Sequence, residues 1–310
     1  MQQATPHRRK PFPFHIVVFL LPAVVIYTLF MAYPLLDSLR LSFFDQRGPE
    51  PVFVGLQNFN ELLFGELWAP RFWNALRNNF VFFSIHMLVQ NPLALLLATL
   101  LTARRLRFRA LYRTLIFTPT TLSVVIIGFI WSLILNPTWG IFDSFLQFLG
   151  LGDLVQPWLG SEKTALIALS LISVWQWVGL PMILFIAALI GISDELIEAA
   201  IVDGASAWEV FWNIKFPLVL PTIGIVAVLT FVGNFNAFDL IYTTQGPQAV
   251  PNYATDIMGT LFYRTYYGVQ LQPGNPTMGT AIAAATFVVI LAGVMFYLFF
   301  LQRRLARTEG

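Results

Sequence analysis

Residues 198–217 read EAAIVDGASAWEVFWNIKFP, a polar island between two long apolar runs, 166–190 and 218–241. Each run is long enough to cross a bilayer as a helix. In and beside the island stand Asp194, Glu195, Glu198, Asp203 and Glu209, with Lys215 as the one balancing cation. Ala199 and Ala200 favour helix, and Gly204 lets the backbone turn or another surface come close. The pattern predicts a short helix, a turn, and a second helix carrying Trp208, Val210, Phe211 and Trp212, with acidic and aromatic surface at a membrane face. The plainer reading is an ordinary connecting loop.

The composition agrees with a membrane setting. Of 310 residues only 11% are charged and 57% are hydrophobic, whereas a soluble domain carries roughly 25% charged residues. Nine Trp suit interfacial belts. The absence of cysteine removes disulfides, thiol catalysis and Cys-based metal sites. His7, His15 and His86 lack metal-ligand spacing, so no metal site is expected. The run Gly160-Ser161-Glu162-Lys163-Thr164 lacks the glycine a phosphate loop places before lysine. Nothing in the sequence could hydrolyse ATP, so if the work needs energy another chain supplies it.

Six apolar runs predict an all-α membrane protein with six transmembrane helices, at 16–33, 80–101, 115–135, 166–190, 218–241 and 280–301. The first follows Arg8, Arg9 and Lys10 as a signal peptide would, but it ends in Tyr33-Pro34 without an A-x-A site and reads as an uncleaved span. Pro119 is expected to break the third run near its start and Pro181 to bend the fourth. The chain divides into a tail (1–14), a first span with its outer loop (15–79), a five-helix core containing the island at 194–217 (80–301), and a second tail (302–310).

Six spans place both termini on one side. That side collects Arg8, Arg9, Lys10, Arg104, Arg105, Arg107, Arg109, Arg113, Lys215, Arg303, Arg304 and Arg307. The other collects half as many: Arg40, Arg47, Arg71, Arg77, Lys163 and Arg264. The excess predicts cytoplasmic termini and a cytoplasmic island. The basic 104–113 stretch suits lipid headgroups, while the acidic island suits a partner protein bearing Arg or Lys.

Polar groups inside spans are costly in lipid and face a bundle interior or a cavity. Asn234, Asn236 and Asp239 lie near the end of the fifth run, with Asn236 and Asp239 on one helical face and Asn234 on another. Gln176 sits mid-way in the fourth, between Trp175 and Trp177, and His86 and Gln90 share a face of the second. Each can be an interhelical hydrogen bond, or can line a path for a hydroxyl-rich solute. The alternatives are an ion-coupled secondary transporter of a small polar solute, which would need ionisable relays where only Asp239 is present, and a membrane scaffold, which leaves the polar stripe without a purpose.

The spacing Glu198-Ala199-Ala200, Gly204, Ile214 and Pro217 resembles the "EAA" signature of ABC importer permeases, with Phe216 where the family usually has Leu. Segments 53–59 (FVGLQNF), 112–119 (YRTLIFTP), Asn136-Pro137 with Gly140, and 238–247 (FDLIYTTQGP) are similar to the carbohydrate-uptake branch, which includes permeases for maltose-type oligosaccharides, raffinose-type sugars and glycerol 3-phosphate. The resemblance implies a type I ABC importer permease fold in a bacterial inner membrane. It makes Glu198, Ala199, Ala200, Asp203, Gly204, Ile214 and Pro217 the coupling helix seated on an ATPase, and Gln176, Asn234, Asn236 and Asp239 candidates for the solute path. It implies a transport subunit rather than an enzyme. The expected partners are a second homologous permease, two ATPase subunits that bind the ATP and Mg this chain does not, an extracytoplasmic solute-binding protein and a sugar. No nucleic acid is expected.

Overall fold

In hydrocarbon every backbone N–H and C=O must be satisfied within the protein, so apolar runs of this length fold as helices. The computed structural model describes residues 14–103, 106–270 and 272–301. His7, Arg8, Arg9, Lys10, Arg104, Arg105 and the tail after 301 lie outside them. The helices are α1 (Val17–Leu41), α2 (Gln57–Phe64), α3 (Ala69–Thr102), α4 (Arg109–Thr121), α5 (Val124–Ile134), α6 (Ile141–Phe148), α7 (Ala165–Trp177) and α8 (Gly179–Ile190). They continue with α9 (Asp194–Val202), α10 (207–235), α11 (Asp239–Gln245), α12 (Met258–Tyr267) and α13 (Pro276–Phe299). Four helical runs, α1, α3, α10 with α11, and α13, are long and apolar enough to cross a membrane. The pairs α4/α5 and α7/α8 also pass together, bent by 97° and 45°.

Prolines set the local geometry of the long helices. Three of the four π turns among the described residues, Thr28–Ala32, His86–Gln90 and Phe211–Lys215, each end two residues before a proline: Pro34, Pro92 and Pro217. A proline ring collides with the carbonyl four residues back and brings no donor. Widening the preceding turn moves that carbonyl aside and lets the helix continue. Tyr33 N–H, Asn91 N–H and Phe216 N–H accordingly bond to Thr28, His86 and Phe211 carbonyls, five residues back.

The helix bounds depart from the apolar runs for related reasons. Helix α1 continues through Tyr33-Pro34 to Leu41, and α3 begins at Ala69, with Pro70 in the first turn where its missing N–H costs nothing. The third run breaks at Leu122-Ser123, after a 3-10 turn holding Pro119, and both residues are extended there. The fourth bends at Val178, next to the Trp177 carbonyl that Pro181 cannot serve. The fifth starts at 207 and is interrupted at 236–238.

Three buried clusters hold the bundle. Ala94, Ala98, Leu101, Met182, Phe185, Leu189 and Val219 join α3, α8 and α10. Ile127, Leu169, Ile172, Leu240 and Ile241 join α5, α7 and α11. Leu62, Trp68, Phe72, Phe235, Met258, Leu261 and Ile282 join α2, α3, α10, α12 and α13 at the other end. Gly179 permits close approach of α8 to α4, since a Cβ there would lie 2.9 Å from Phe117 Cα.

The end capped by α2 and α12 is ordered by buried polar groups. Asn58, in the 53–59 segment, donates to Ser42 O (2.9 Å) and Phe44 O (3.0 Å), terminating α1. Hairpin Phe44–Asp45/Val52–Phe53 is tied to α13 by Gln46 N–H to Thr277 Oγ1 at 2.8 Å. The Arg47 guanidinium beside Asp45 holds that carboxyl well below the usual carboxylate range. In the 243–278 stretch, between the last two apolar runs, Asp256 and Arg264 form a buried two-pronged ion pair at 2.6 and 2.5 Å, with Arg264 also over the Tyr253 ring.

Candidate functional site

Two places carry the residues singled out by the sequence other than Gln176, and they lie on different parts of the bundle. The first is the acidic segment. Ser193 caps α9, its side chain accepting from Glu195 N–H. Asp194 and Glu195 occupy the first turn, where the helix dipole favours negative charge. At the other end Ala205 N–H bonds to Ala200 O and Gly204 N–H to Ile201 O, at 2.9 and 3.1 Å. This pair of bonds is the Schellman ending, which needs a left-handed residue. Gly204 supplies it with φ +90°.

Ser206 then opens the next helix through a capping box with Glu209: Glu209 N–H to Ser206 Oγ, and Ser206 N–H to Glu209 Oε2 at 2.7 Å. The helix–turn–helix expected from composition is thus written in caps. A Cβ on Gly204 would meet nothing within 4 Å, so turning, rather than close packing within this chain, is what that glycine does. Glu198, Ala199 and Asp203 are exposed, Ala200 and Ile214 half-buried, and Pro217 exposed. Leu196, Ile201, Val202 and Trp208 make an exposed apolar crest among the acids, with Trp208 70% exposed. The Trp208 and Trp212 rings meet edge to face at 5.5 Å.

The second place is a cavity of about 330 Å³ beside the interruption of the fifth run, within the range of small-molecule sites. Asn234, Asn236, Phe238 and Asp239 line it from the break. His86 and Gln90 line it from the π turn of α3, and Ser173, Trp177 and Pro181 from α7 and α8. The break corrects one expectation. Helical spacing places Asn236 and Asp239 on one face and Asn234 on another, but the helix stops at Phe235 and Phe238 leaves the helical region (φ −153°, ψ −55°). Helical spacing does not apply across such a gap, and all three residues line the same cavity. Asn234 is buried and donates to Thr230 O at 2.7 Å, whereas Asn236 and Asp239 are exposed.

Gln176 lies elsewhere. It is 0% exposed, is not among the cavity-lining residues, and its Nε2 donates to Leu122 O at 3.3 Å. Leu122 is where α4 breaks, so its carbonyl has lost its helical partner, and the Gln176 amide serves it. Ser173 and Thr230 were not singled out, since a hydroxyl in an apolar run carries no periodic signal; only the register of α7 and α10 brings them to the cavity. Among the described residues no three His, Cys, Asp or Glu side chains could hold a metal ion.

Residues 90–308, which include the acidic segment and the break, match the family described as the binding-protein-dependent transport system inner membrane component. The chain belongs to this family. It is an ABC importer permease, a multi-pass inner-membrane transport subunit rather than an enzyme. The permease is 33% identical over 277 residues to the probable ABC transporter permease protein YurN of Bacillus subtilis, covering 88% of this chain and 90% of that one. It is 29% identical to the lactose transport system permease protein LacF of Rhizobium radiobacter, covering 93% of each. Its structure is similar to that of a bacterial ABC transporter involved in the import of the acidic polysaccharide alginate, with TM-score 0.78, 25% identity, and coverage of 94% and 96% of the two chains. The permease therefore takes its driving force from outside itself, and the ion-coupled alternative falls away.

Proposed function

We propose that this permease passes a sugar, a di- or oligosaccharide, through the cavity at the break of the fifth run, and that 198–217 couples the passage to ATP hydrolysis on a separate subunit. The cavity carries the reading. It combines amides, hydroxyls and the Trp177 and Phe238 rings, the mixture that replaces water around a hydroxyl-rich ring while covering its apolar faces. LacF, named for lactose, and the alginate importer support a sugar.

In this reading each bent helix pair is one span, so six spans cross the membrane and both termini are cytoplasmic, as the Lys and Arg distribution favours. A second permease of the same kind completes the path, and a solute-binding protein delivers the sugar from outside. Two ATPase subunits hold ATP and Mg, and one of them docks on the crest formed by Leu196, Ile201, Val202 and Trp208. Glu198, Ala199, Ala200, Asp203, Gly204, Ile214 and Pro217 form the coupling element, and Asn234, Asn236 and Asp239 line the path. Access then alternates as the ATPases close and the spans reorient.

The test is uptake by the reconstituted complex carrying Asn236→Ala or Asp239→Asn. Asn236→Ala should cut uptake severalfold while ATP hydrolysis stimulated by the loaded binding protein persists, because stimulation depends on docking far from the cavity. Unchanged uptake in both variants, with the complex intact, would move the path to other helix faces.

A further inference from the structure

Helix α6, Ile141–Phe148, presents three distinct faces. Ile141, Phe145 and Phe148 recur at i, i+4 and i+7 as one stripe, and they are 74%, 52% and 86% exposed. Phe142, Asp143 and Leu146 form the next face. Asp143 and Leu146 are buried there, and the Phe142 ring meets Trp158 edge to face at 5.7 Å. Ser144 and Gln147 make the third face, and both are exposed. A helix resting on the bundle in water would be polar over its whole free surface. The free surface of α6 is instead split lengthwise into an apolar flank and a polar flank, as in a helix lying along a lipid–water interface.

The place of α6 in the fold fits that surface. A Cβ on Gly140 would lie 2.5 Å from Ile134 O, so α6 starts against the last turn of α5. The exposed apolar stripe of α5, Val125, Phe129 and Leu133, ends at that turn. Trp139, exposed between the two helices, is the kind of ring that settles at a headgroup boundary. With eight residues, α6 is about 12 Å long, too short to cross roughly 30 Å of hydrocarbon.

We propose that α6 lies in the headgroup boundary of the outer leaflet, with its Ile141, Phe145 and Phe148 flank against lipid. The inference rests on the reading of α4 and α5 as one span, which puts the end of α5 at the outer bilayer surface. The flank needs a permanent occupant, because bare aromatic surface in water is costly. A binding protein that comes and goes would leave it bare, whereas lipid is always present. A second permease would also stay, but a protein interface has a polar rim around its apolar centre. Here Trp139 and Leu149 extend the apolar stripe at both ends, and polar residues border one side only. Asp143, the one charged residue of α6, is buried, so the attachment comes from apolar burial and is indifferent to headgroup charge.

The test uses the assembled transporter in liposomes, with one cysteine in this chain and none in its partners. Phe148→Cys, Gln147→Cys and, as a second site on the apolar flank, Ile141→Cys each carry a small environment-sensitive fluorophore. Lipids with a nitroxide near the headgroup or near the chain end quench from the bilayer, and iodide on both sides quenches from water. Probes at positions 148 and 141 should be quenched severalfold more by the shallow nitroxide than by the deep one. Iodide should quench them severalfold less than it quenches the probe at position 147. The pattern should be the same in neutral and in anionic lipid, and unchanged when the loaded binding protein is added. Iodide quenching equal at all three positions overturns the lipid contact and leaves the one-span reading standing. So does protection of 148 and 141 from both quenchers, which gives the flank to the second permease, or loss of lipid quenching on adding the binding protein, which gives it to that partner. Stronger quenching by the deep nitroxide places α6 within the hydrocarbon and overturns both the inference and the one-span reading.

Discussion

The side chain of Asn79 joins Asn234 to the segment that follows the break, donating from Nδ2 to Asn234 O at 2.9 Å and accepting from Met258 N–H at 2.7 Å. One fully buried amide in α3 thereby adds a donor to a carbonyl near the end of α10, which otherwise accepts at 3.3 Å from Ala237 N–H, and satisfies a donor at the start of α12. The cavity's polar rim keeps its shape because its backbone groups are bonded through this link.

Asn79→Leu should strand the Met258 N–H in a dry site and leave Asn234 O with the 3.3 Å bond from Ala237 N–H, at a cost of about 1 to 3 kcal/mol. The check is the thermal unfolding midpoint of the purified permease in detergent, which should fall clearly below wild type. A midpoint that does not move would show that neither group depends on Asn79.

The Asp256–Arg264 pair makes a second stability test. Removing one partner leaves the other charge buried and uncompensated, which costs about 3 to 5 kcal/mol. Asp256→Asn alone should therefore destabilise more than Asp256→Asn combined with Arg264→Met. Proteolysis of the 243–278 stretch in detergent reads the difference directly, and equal susceptibility of single and double variants would contradict it.

At the coupling segment, Gly204 must hold φ +90°, a conformation that costs other residues roughly 1 kcal/mol or more. Gly204→Asp should leave the permease inserted, since the new side chain meets nothing in this chain, yet remove most of the ATP hydrolysis stimulated by the loaded binding protein. Trp208→Ala should lose little stability but weaken retention of the ATPase about tenfold or more on co-purification, as removal of an aromatic anchor does. Normal stimulation in both variants would detach this segment from coupling.

Orientation can be read with single cysteines, because the chain has none. Ser144 and Ser206 are both exposed. With an impermeant thiol reagent on intact spheroplasts, Ser144→Cys should label and Ser206→Cys should not. The reverse pattern would invert the topology.

Gln176 and Asn236 separate a bond between helices from a contact with solute. Gln176→Leu removes one long hydrogen bond to Leu122 O, along with an amide whose Oε1 has no partner. It should change stability by less than about 1 kcal/mol and leave the KM of uptake alone, whereas Asn236→Ala should raise that KM severalfold. A raised KM in Gln176→Leu would return that residue to the path.

Much was legible from the chain itself. Run length and low charge specify membrane helices because hydrocarbon offers the backbone no other partner, and the helix–turn–helix at 198–217 is local, set by Ser193, Gly204, Ser206 and Glu209 within a few residues of one another. What occurs at the prolines was only partly legible: Pro34, Pro92 and Pro217 announce a disturbance, but whether a helix breaks or widens into a π turn depends on what packs around it. The cavity belonged wholly to the tertiary structure. Helical spacing set Asn234 apart from Asn236 and Asp239 and gave Gln176 a candidate place beside solute, because periodicity assumes an unbroken helix. The interruption at 236–238 brought the first three together, and the break at Leu122 turned Gln176 to a stranded carbonyl. Spacing along a chain determines faces only while the helix lasts; beyond a break, direction is decided by which buried groups still need a partner.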